Sequence, residues 1–122
     1  MLSNYGFKYG DWETAKTEAK NILVATARRE DLIAFSELVR KIKSIAFEAD
    51  DHRLAHLLDE ISIEEDNSGR GILAAVVVSK SGDLHPFPGF SELAKSLGRD
   101  TSDIFACWVK ELANVHKYWA FS

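Results

Sequence analysis

Residues 69–89, GRGILAAVVVSKSGDLHPFPG, decide how the rest of the chain is interpreted. Residues 72–79 are mostly branched or aliphatic and are bounded by glycine and by Ser-Gly-Asp, which predicts a largely buried strand. Residues 80–83 are typical of a turn, and residues 84–85 return as a shorter strand. Both prolines of the chain follow, and they end that strand because proline has no N–H for a ladder. The stretch therefore predicts one antiparallel β-hairpin.

Apolar residues at helical spacing lie on both sides of this hairpin and predict about five helices. The predicted helices are the first after Asp11, the second from Ser36, the third after Asp50 or Asp51, the fourth over residues 90–97 and ended by Gly98, and the fifth after Asp100 or Thr101. Residues 32–34 fit either a short strand or part of one continuous helix from Asp31 to Phe47. The predicted fold class is α+β, mainly helical with one hairpin.

Length and composition indicate a single domain over residues 1–122. The chain is 46% hydrophobic and 28% charged, which is ordinary for a globular protein. Its lone Cys107 excludes an intramolecular disulfide, and we find neither a signal-peptide pattern nor an apolar run of about 18 residues. We expect a cytoplasmic protein that does not enter a membrane and needs no cofactor.

The order of the predicted elements, three helices with a short capped second one and then a hairpin, resembles the winged helix-turn-helix arrangement. The resemblance covers residues 12–87, leaves residues 88–122 as a C-terminal helical extension, and implies DNA binding through the third helix and the wing. Residues 34–38, Ala-Phe-Ser-Glu-Leu, are also similar to the Thr-Tyr-Gly-Glu-Leu-like segment in the DNA-binding domain of alkylguanine-DNA alkyltransferases and alkyltransferase-like proteins. The chain lacks the Pro-Cys-His-Arg active-site motif of that family, so alkyl transfer is not expected.

The leading hypothesis is a non-catalytic, regulatory binding domain whose partner is nucleic acid. The net charge of −4 is spread evenly along the chain, so such binding needs a local basic patch. The predicted third helix carries several acidic residues that would face phosphates unfavourably. The candidate contacts are Arg40, Lys41, Lys43, Arg53, His56 and Lys80. Of these, Arg53 or His56 would approach the bases.

The last predicted helix carries apolar residues at spacings of three and four, which is typical of an amphipathic helix. These residues are Phe105, Trp108, Leu112, Val115 and Trp119. A second hypothesis is therefore a protein-interaction or assembly module in which this stripe forms a homodimer seam. The two hypotheses are compatible with each other.

A third hypothesis is a small metal-dependent enzyme. His52, His56 and Glu60 follow one another at intervals of four residues, which places them on one helical face as candidate metal ligands. A fourth ligand and a His-Glu-x-x-His pattern are missing from the sequence. A solvent-facing polar stripe is the alternative interpretation.

Gly69, Arg70 and Gly71 form a candidate anion-binding turn. Two glycines allow backbone N–H groups to approach an anion closely, and the guanidinium adds a positive charge. The alternative is a tight turn between helix and strand in which Arg70 pairs with one of the acidic residues 64–66.

Overall fold

The computed structural model describes residues 2–3, 6–48, 51–80 and 85–120. In chain order the elements are β1 (Leu2–Ser3), β2 (Phe7–Lys8), α1 (Tyr9–Arg28), β3 (Ile33–Ala34), α2 (Phe35–Lys41), α3 (His52–Asn67), a 3₁₀ helix (Leu73–Val76), β4 (Val77–Val78), α4 (Phe90–Ser96) and α5 (Ile104–Ala120). The described residues thus contain five α-helices and two small sheets, which confirms a mainly helical α+β class.

One continuous apolar core lies around the 3₁₀ helix. Helices α1, α3 and α5 each pack against this short segment, and all four of its residues are fully buried. Trp12 of α1 and Phe90 of α4 are also fully buried, so the core extends from the first helix to the fourth. Removal of this apolar surface from water is the main stabilising contribution. Across the described ranges, no helix is both long and apolar enough to cross a membrane.

The predicted hairpin was wrong in its main feature, the antiparallel pairing of two strands. In the predicted first strand, residues 72–79, the segment Val77–Val78 forms a strand, and it pairs in parallel with Ile33–Ala34. The returning chain makes a single antiparallel bridge between Val78 and Pro86, supported by a hydrogen bond from the Phe87 N–H to the Val77 carbonyl at 3.0 Å. Residues 81–83 of the predicted turn and residue 84 of the predicted second strand lie outside the described residues.

The first half of the predicted strand is helical because side chains from neighbouring helices bind its backbone. The hydroxyl of Ser62 accepts a hydrogen bond from the Ala74 N–H at 3.1 Å, and the indole of Trp108 donates to the Ala75 carbonyl at 2.8 Å. Buried backbone groups need such partners, which a sheet would otherwise supply. Three-dimensional contacts therefore outweigh the β propensity of this segment.

The pairing of β3 with β4 decides between the two interpretations of residues 32–34. Ile33 lies opposite Val77 and Ala34 opposite Val78, so this segment is a strand and the continuous helix from Asp31 to Phe47 does not form. The pairing is parallel because the whole of α2 and α3 separates the two strands and forms the crossover.

Helix α4 begins at Phe90 as predicted, whereas among the predicted capping side chains Asp51 alone is confirmed and Ser36 lies inside α2. Asp51 caps α3, and its carboxylate accepts a hydrogen bond from the Arg53 N–H at 3.0 Å. Helix α1 begins two residues before Asp11, which lies inside its first turn. Helix α5 begins at Ile104, where Asp103 rather than the predicted residues binds the first turn through the Ala106 N–H.

Helix α1 ends in a Schellman motif that holds Glu30 in a left-handed conformation, with φ of 54°. The Glu30 N–H donates to Ala27 and the Asp31 N–H donates to Thr26. Glycine adopts this conformation without strain. We expect Glu30→Gly to raise the free energy of unfolding by about 0.5–1 kcal/mol in urea denaturation. Ala25→Gly, at an exposed position within α1, should lower it by about 1 kcal/mol, and a loss in both variants would contradict the strain at Glu30.

Candidate functional site

A cavity with largely apolar walls lies where α2 and α3 begin and β4 ends. It has a volume of about 530 Å³. Its walls are formed by Phe35, Ser36, Asp51, His52, Ala55, Ser79, Lys80 and Pro88. We call it the α2/α3 cavity. Concave sites of this size that combine apolar walls with a few polar groups are typical ligand-binding sites.

The parallel pairing of β3 with β4 builds this cavity from distant parts of the sequence. Ala34 lies opposite Val78, and the next residues of the two strands, Phe35 and Ser79, leave the sheet side by side. Phe35 then opens α2, so that Ser36 also faces the cavity. A two-residue ladder therefore fixes the positions of side chains more than 40 residues apart.

The described walls of the cavity combine apolar and polar residues. The apolar wall residues, which we call the floor, are Phe35, which is 8% exposed, the half-buried Ala55 and the exposed Pro88. Two hydroxyls, one imidazole and the exposed ammonium of Lys80 surround this floor. The arrangement suits a ligand with a flat apolar part and an anionic part.

Asp51 and Arg53 form a structural pair at the edge of the cavity. The Arg53 Nε and Nη2 atoms donate to the two carboxylate oxygens of Asp51 at 2.9 and 2.7 Å, and the guanidinium lies 4.5 Å from the ring centroid of Phe7. These hydrogen bonds lower the pKa of Asp51 to about 2. Arg53, a predicted nucleic-acid contact, is thus held within the protein and does not present a free cation.

Two of the predicted basic contacts are turned toward α2 itself. The Lys41 ammonium lies 3.4 Å from the Glu37 carboxylate, one turn away on α2. The Lys43 ammonium donates to the Arg40 carbonyl at 3.4 Å and so binds the C-terminal end of the helix. Neither lysine lines the α2/α3 cavity.

Arg40 and Lys80 are the predicted contacts that remain available near the cavity. Lys80 is exposed at its rim, and Arg40 is exposed one helical turn from Ser36. Residues four apart lie on the same face of a helix, so Arg40 extends the line from Lys80 through Ser36. Within the described part of the chain, neither cation forms an ion pair.

The three candidate metal ligands do not converge. The His52 and His56 rings are 6.2 Å apart and nearly perpendicular, and a Glu60 oxygen accepts a hydrogen bond from the Trp12 indole at 3.1 Å. Lys16 lies 3.4 Å from the same oxygen. Among the residues that the structure describes, no group of three His, Cys, Asp or Glu side chains is placed to hold a metal ion.

The candidate anion-binding turn has a structural role. The Gly69 and Arg70 N–H groups donate to the carbonyls of Asp66 and Glu65 at 3.0 and 2.9 Å, which closes the C-terminus of α3 in a Schellman motif. These N–H groups are therefore not directed at an anion. Arg70 also pairs with the buried Glu65 carboxylate, so the alternative of a tight turn with an acidic partner is confirmed, and Gly71 supplies a φ of 86°.

The predicted dimer seam lies largely within the core. Trp108 and Val115 are buried, Leu112 and Trp119 are half-buried, and Phe105 alone of the five is exposed, at 51%. The apolar stripe of α5 packs against α1 and the 3₁₀ helix of the same chain. These contacts remove the apolar surface of α5 from water. The seam is thus unavailable as predicted, because its central residues already pack inside the monomer.

Sequence reasoning missed the apolar floor of the cavity and the hydroxyl of Ser79. No local sequence pattern relates Phe35, Ala55 and Pro88 to one another, because they line the same cavity only in the folded chain. Comparison with known proteins adds no family to this description, and the winged-helix resemblance stays a prediction. No known protein family matches the chain, and neither the curated proteins nor the solved structures contain a significant match.

Proposed function

We propose that this chain is a non-catalytic nucleic-acid-binding domain whose binding site is the α2/α3 cavity. The observation that carries the proposal is that Lys80 and Ser36 both line the cavity and that Arg40 follows Ser36 by one turn of α2, with both cations exposed. Lysine and arginine supply the electrostatic part of phosphate binding, and hydroxyl groups add neutral hydrogen bonds. The cytoplasm remains the predicted compartment.

Acidic side chains determine which way a bound strand would run. Asp59 lies one turn beyond His56 on α3, close enough to Glu92 of α4 for the two carboxylates to interact. Burial raises the pKa of Asp59, and the charge of Glu92 adds to the rise. The exposed carboxylate of Glu92 would repel a phosphate backbone from this part of the surface. The favourable path therefore runs from Lys80 over Ser36 toward Arg40.

The proposal does not require insertion of α3 into a DNA groove. Arg53, the one permanent cation among its candidate contacts, is paired with Asp51. The net charge of −4 also provides no broad attraction for a duplex. Binding would instead depend on a few local contacts at the cavity.

We expect Lys80→Ala and Arg40→Ala each to weaken nucleic-acid binding by about three- to tenfold at low salt, because each removes one phosphate contact. Fluorescence anisotropy of a labelled oligonucleotide measures the affinity over a series of salt concentrations. Each variant should also make the slope of log K against log salt less steep by about 0.7–0.9.

Lys110→Ala is the matched control, since this lysine is exposed on α5 and does not line the α2/α3 cavity. It should leave both affinity and salt slope unchanged. Equal losses in all three variants would mean that binding depends on overall charge and not on this site. An absence of binding to single-stranded or duplex DNA or RNA at low salt would refute the proposed function.

A further inference from the structure

We infer that the α2/α3 cavity receives the base of one unpaired nucleotide, so that the domain prefers single strands to duplexes. The inference rests on the proposed function and specifies its ligand. It concerns the interior of the cavity, whereas the proposed function depends on the cations along its edge.

The shape of the site favours an unpaired base. A cavity of about 530 Å³ has room for a planar ring, whereas a phosphate backbone alone would need only a surface. In a duplex each base is stacked on both faces and paired along one edge. Moving it into a cavity costs a few kcal/mol, and this cost is absent for a strand that is already single.

The chemistry of the walls matches a base with its phosphate. Phe35, which is 8% exposed, and Pro88 each contribute a ring to the wall of the cavity, together with the small Ala55 side chain. Aromatic faces bind bases of any sequence by stacking. The hydroxyls of Ser36 and Ser79 can donate to or accept from base edges, since a hydroxyl does both.

The rim supplies charge in the right place for the same nucleotide. Lys80 stands at the mouth of the cavity, while the carboxylate of Asp51 is already bonded to Arg53 and to two backbone N–H groups. The one acidic residue among the described wall residues is therefore balanced before a ligand arrives. The phosphate of the enclosed nucleotide would meet the ammonium and not the carboxylate of an unpaired Asp51.

Ala55→Trp tests the inference by filling the floor without changing any charge. Anisotropy is measured with a labelled single strand of about 12 nucleotides, as DNA and as RNA, and with the corresponding duplex. We expect the unmodified protein to bind the single strand about tenfold more tightly than the duplex. Ala55→Trp should remove about that factor from single-strand binding and leave weak duplex binding unchanged.

Ala113→Trp, at an exposed position on α5, is the control for the added indole and should bind both probes like the unmodified protein. Phe35→Leu keeps apolar volume but removes the ring, and we expect about a fivefold loss for the single strand only. If circular dichroism shows that Ala55→Trp does not fold, Phe35→Leu tests the inference in its place.

The outcomes separate the inference from the proposed function. Equal affinity for single strand and duplex, reduced in Lys80→Ala but not by filling or reshaping the floor, would overturn the inference and leave the proposed function intact. Failure of both probes to bind at low salt would overturn both. Selective loss of single-strand binding in Ala55→Trp or Phe35→Leu would support both.

Discussion

Replacing Glu111 by alanine is expected to lower the free energy of unfolding by about 3–5 kcal/mol, because it breaks a buried ionic network. Glu111 is only 5% exposed and receives the Arg99 Nε and Nη2 groups at 3.2 and 2.8 Å. Its carboxylate also accepts the buried Ile72 N–H at 3.2 Å. Loss of the side chain would leave that N–H without its partner. Urea denaturation followed by circular dichroism measures the change.

Arg99 is the centre of this network. Its remaining donors reach both oxygens of Asp66 and the Leu97 carbonyl, so all five N–H groups are bonded. The hydrogen bonds that the guanidinium donates to Glu111, and then those that it donates to Asp66, raise its pKa. The network thus joins α3, the segment after α4, and α5, and it holds the start of the 3₁₀ segment in place.

A double variant distinguishes a mutual ion pair from simple packing. We expect Arg99→Met and Glu111→Met together to cost less than the sum of the two single changes, because the double variant leaves no unpaired charge between these two positions. Lys110→Ala on the same helix should change stability by less than about 0.5 kcal/mol. Additive effects of the two methionine changes would argue against coupling through the ion pair.

Asp51→Asn is expected to lower the free energy of unfolding by about 1–2 kcal/mol at neutral pH, and the loss should depend on pH. The pKa of Asp51 is lowered from 3.8 to about 2, chiefly by the hydrogen bonds from Arg53. A carboxylate whose pKa is lower in the folded than in the unfolded protein stabilises the fold at pH values above its pKa in the unfolded chain. That contribution is present above about pH 4 and declines as the pH falls toward 2.

Asparagine isolates the charge because it remains a good N-cap for α3. Urea denaturation at pH 7, 4, 3 and 2 should therefore show the unmodified protein and Asp51→Asn converging as the pH falls through about 2. Asp11→Asn, which changes an exposed carboxylate in the first turn of α1, should show a difference below about 0.5 kcal/mol at every pH. A gap between the unmodified protein and Asp51→Asn that persists unchanged at pH 2 would contradict the role of the charged pair.

Local sequence was sufficient for the helices. The two short helices α2 and α4 begin with the same tetrapeptide, Phe-Ser-Glu-Leu, at residues 35–38 and 90–93. In both, the phenylalanine and leucine are buried and the serine is exposed. Helical spacing of apolar residues is a local property, so it could be read without knowledge of the fold. The Asp51 cap was predictable for the same reason.

The hairpin and the seam show where local patterns are insufficient. An apolar run such as residues 72–78 is compatible with a buried strand or with a buried helical segment. Hydrogen bonds from its backbone to Ser62 and Trp108 stabilise the first half of this run as a 3₁₀ helix. Likewise the apolar stripe of α5 indicated a buried face but not what covers it. The structure supplies α1 and the 3₁₀ helix as the cover.

The sequence by itself determined the number of helices, the approximate position of most of them, the burial of residues 72–78 and the lack of broad positive charge. Tertiary structure alone decided that Arg53 and Arg99 are structural cations, and that Phe35 and Ser79 share a cavity with Lys80. The reason is physical. Helical periodicity is set by neighbours within one or two turns, whereas ion pairs and cavities depend on side chains that are brought together only when distant segments pack.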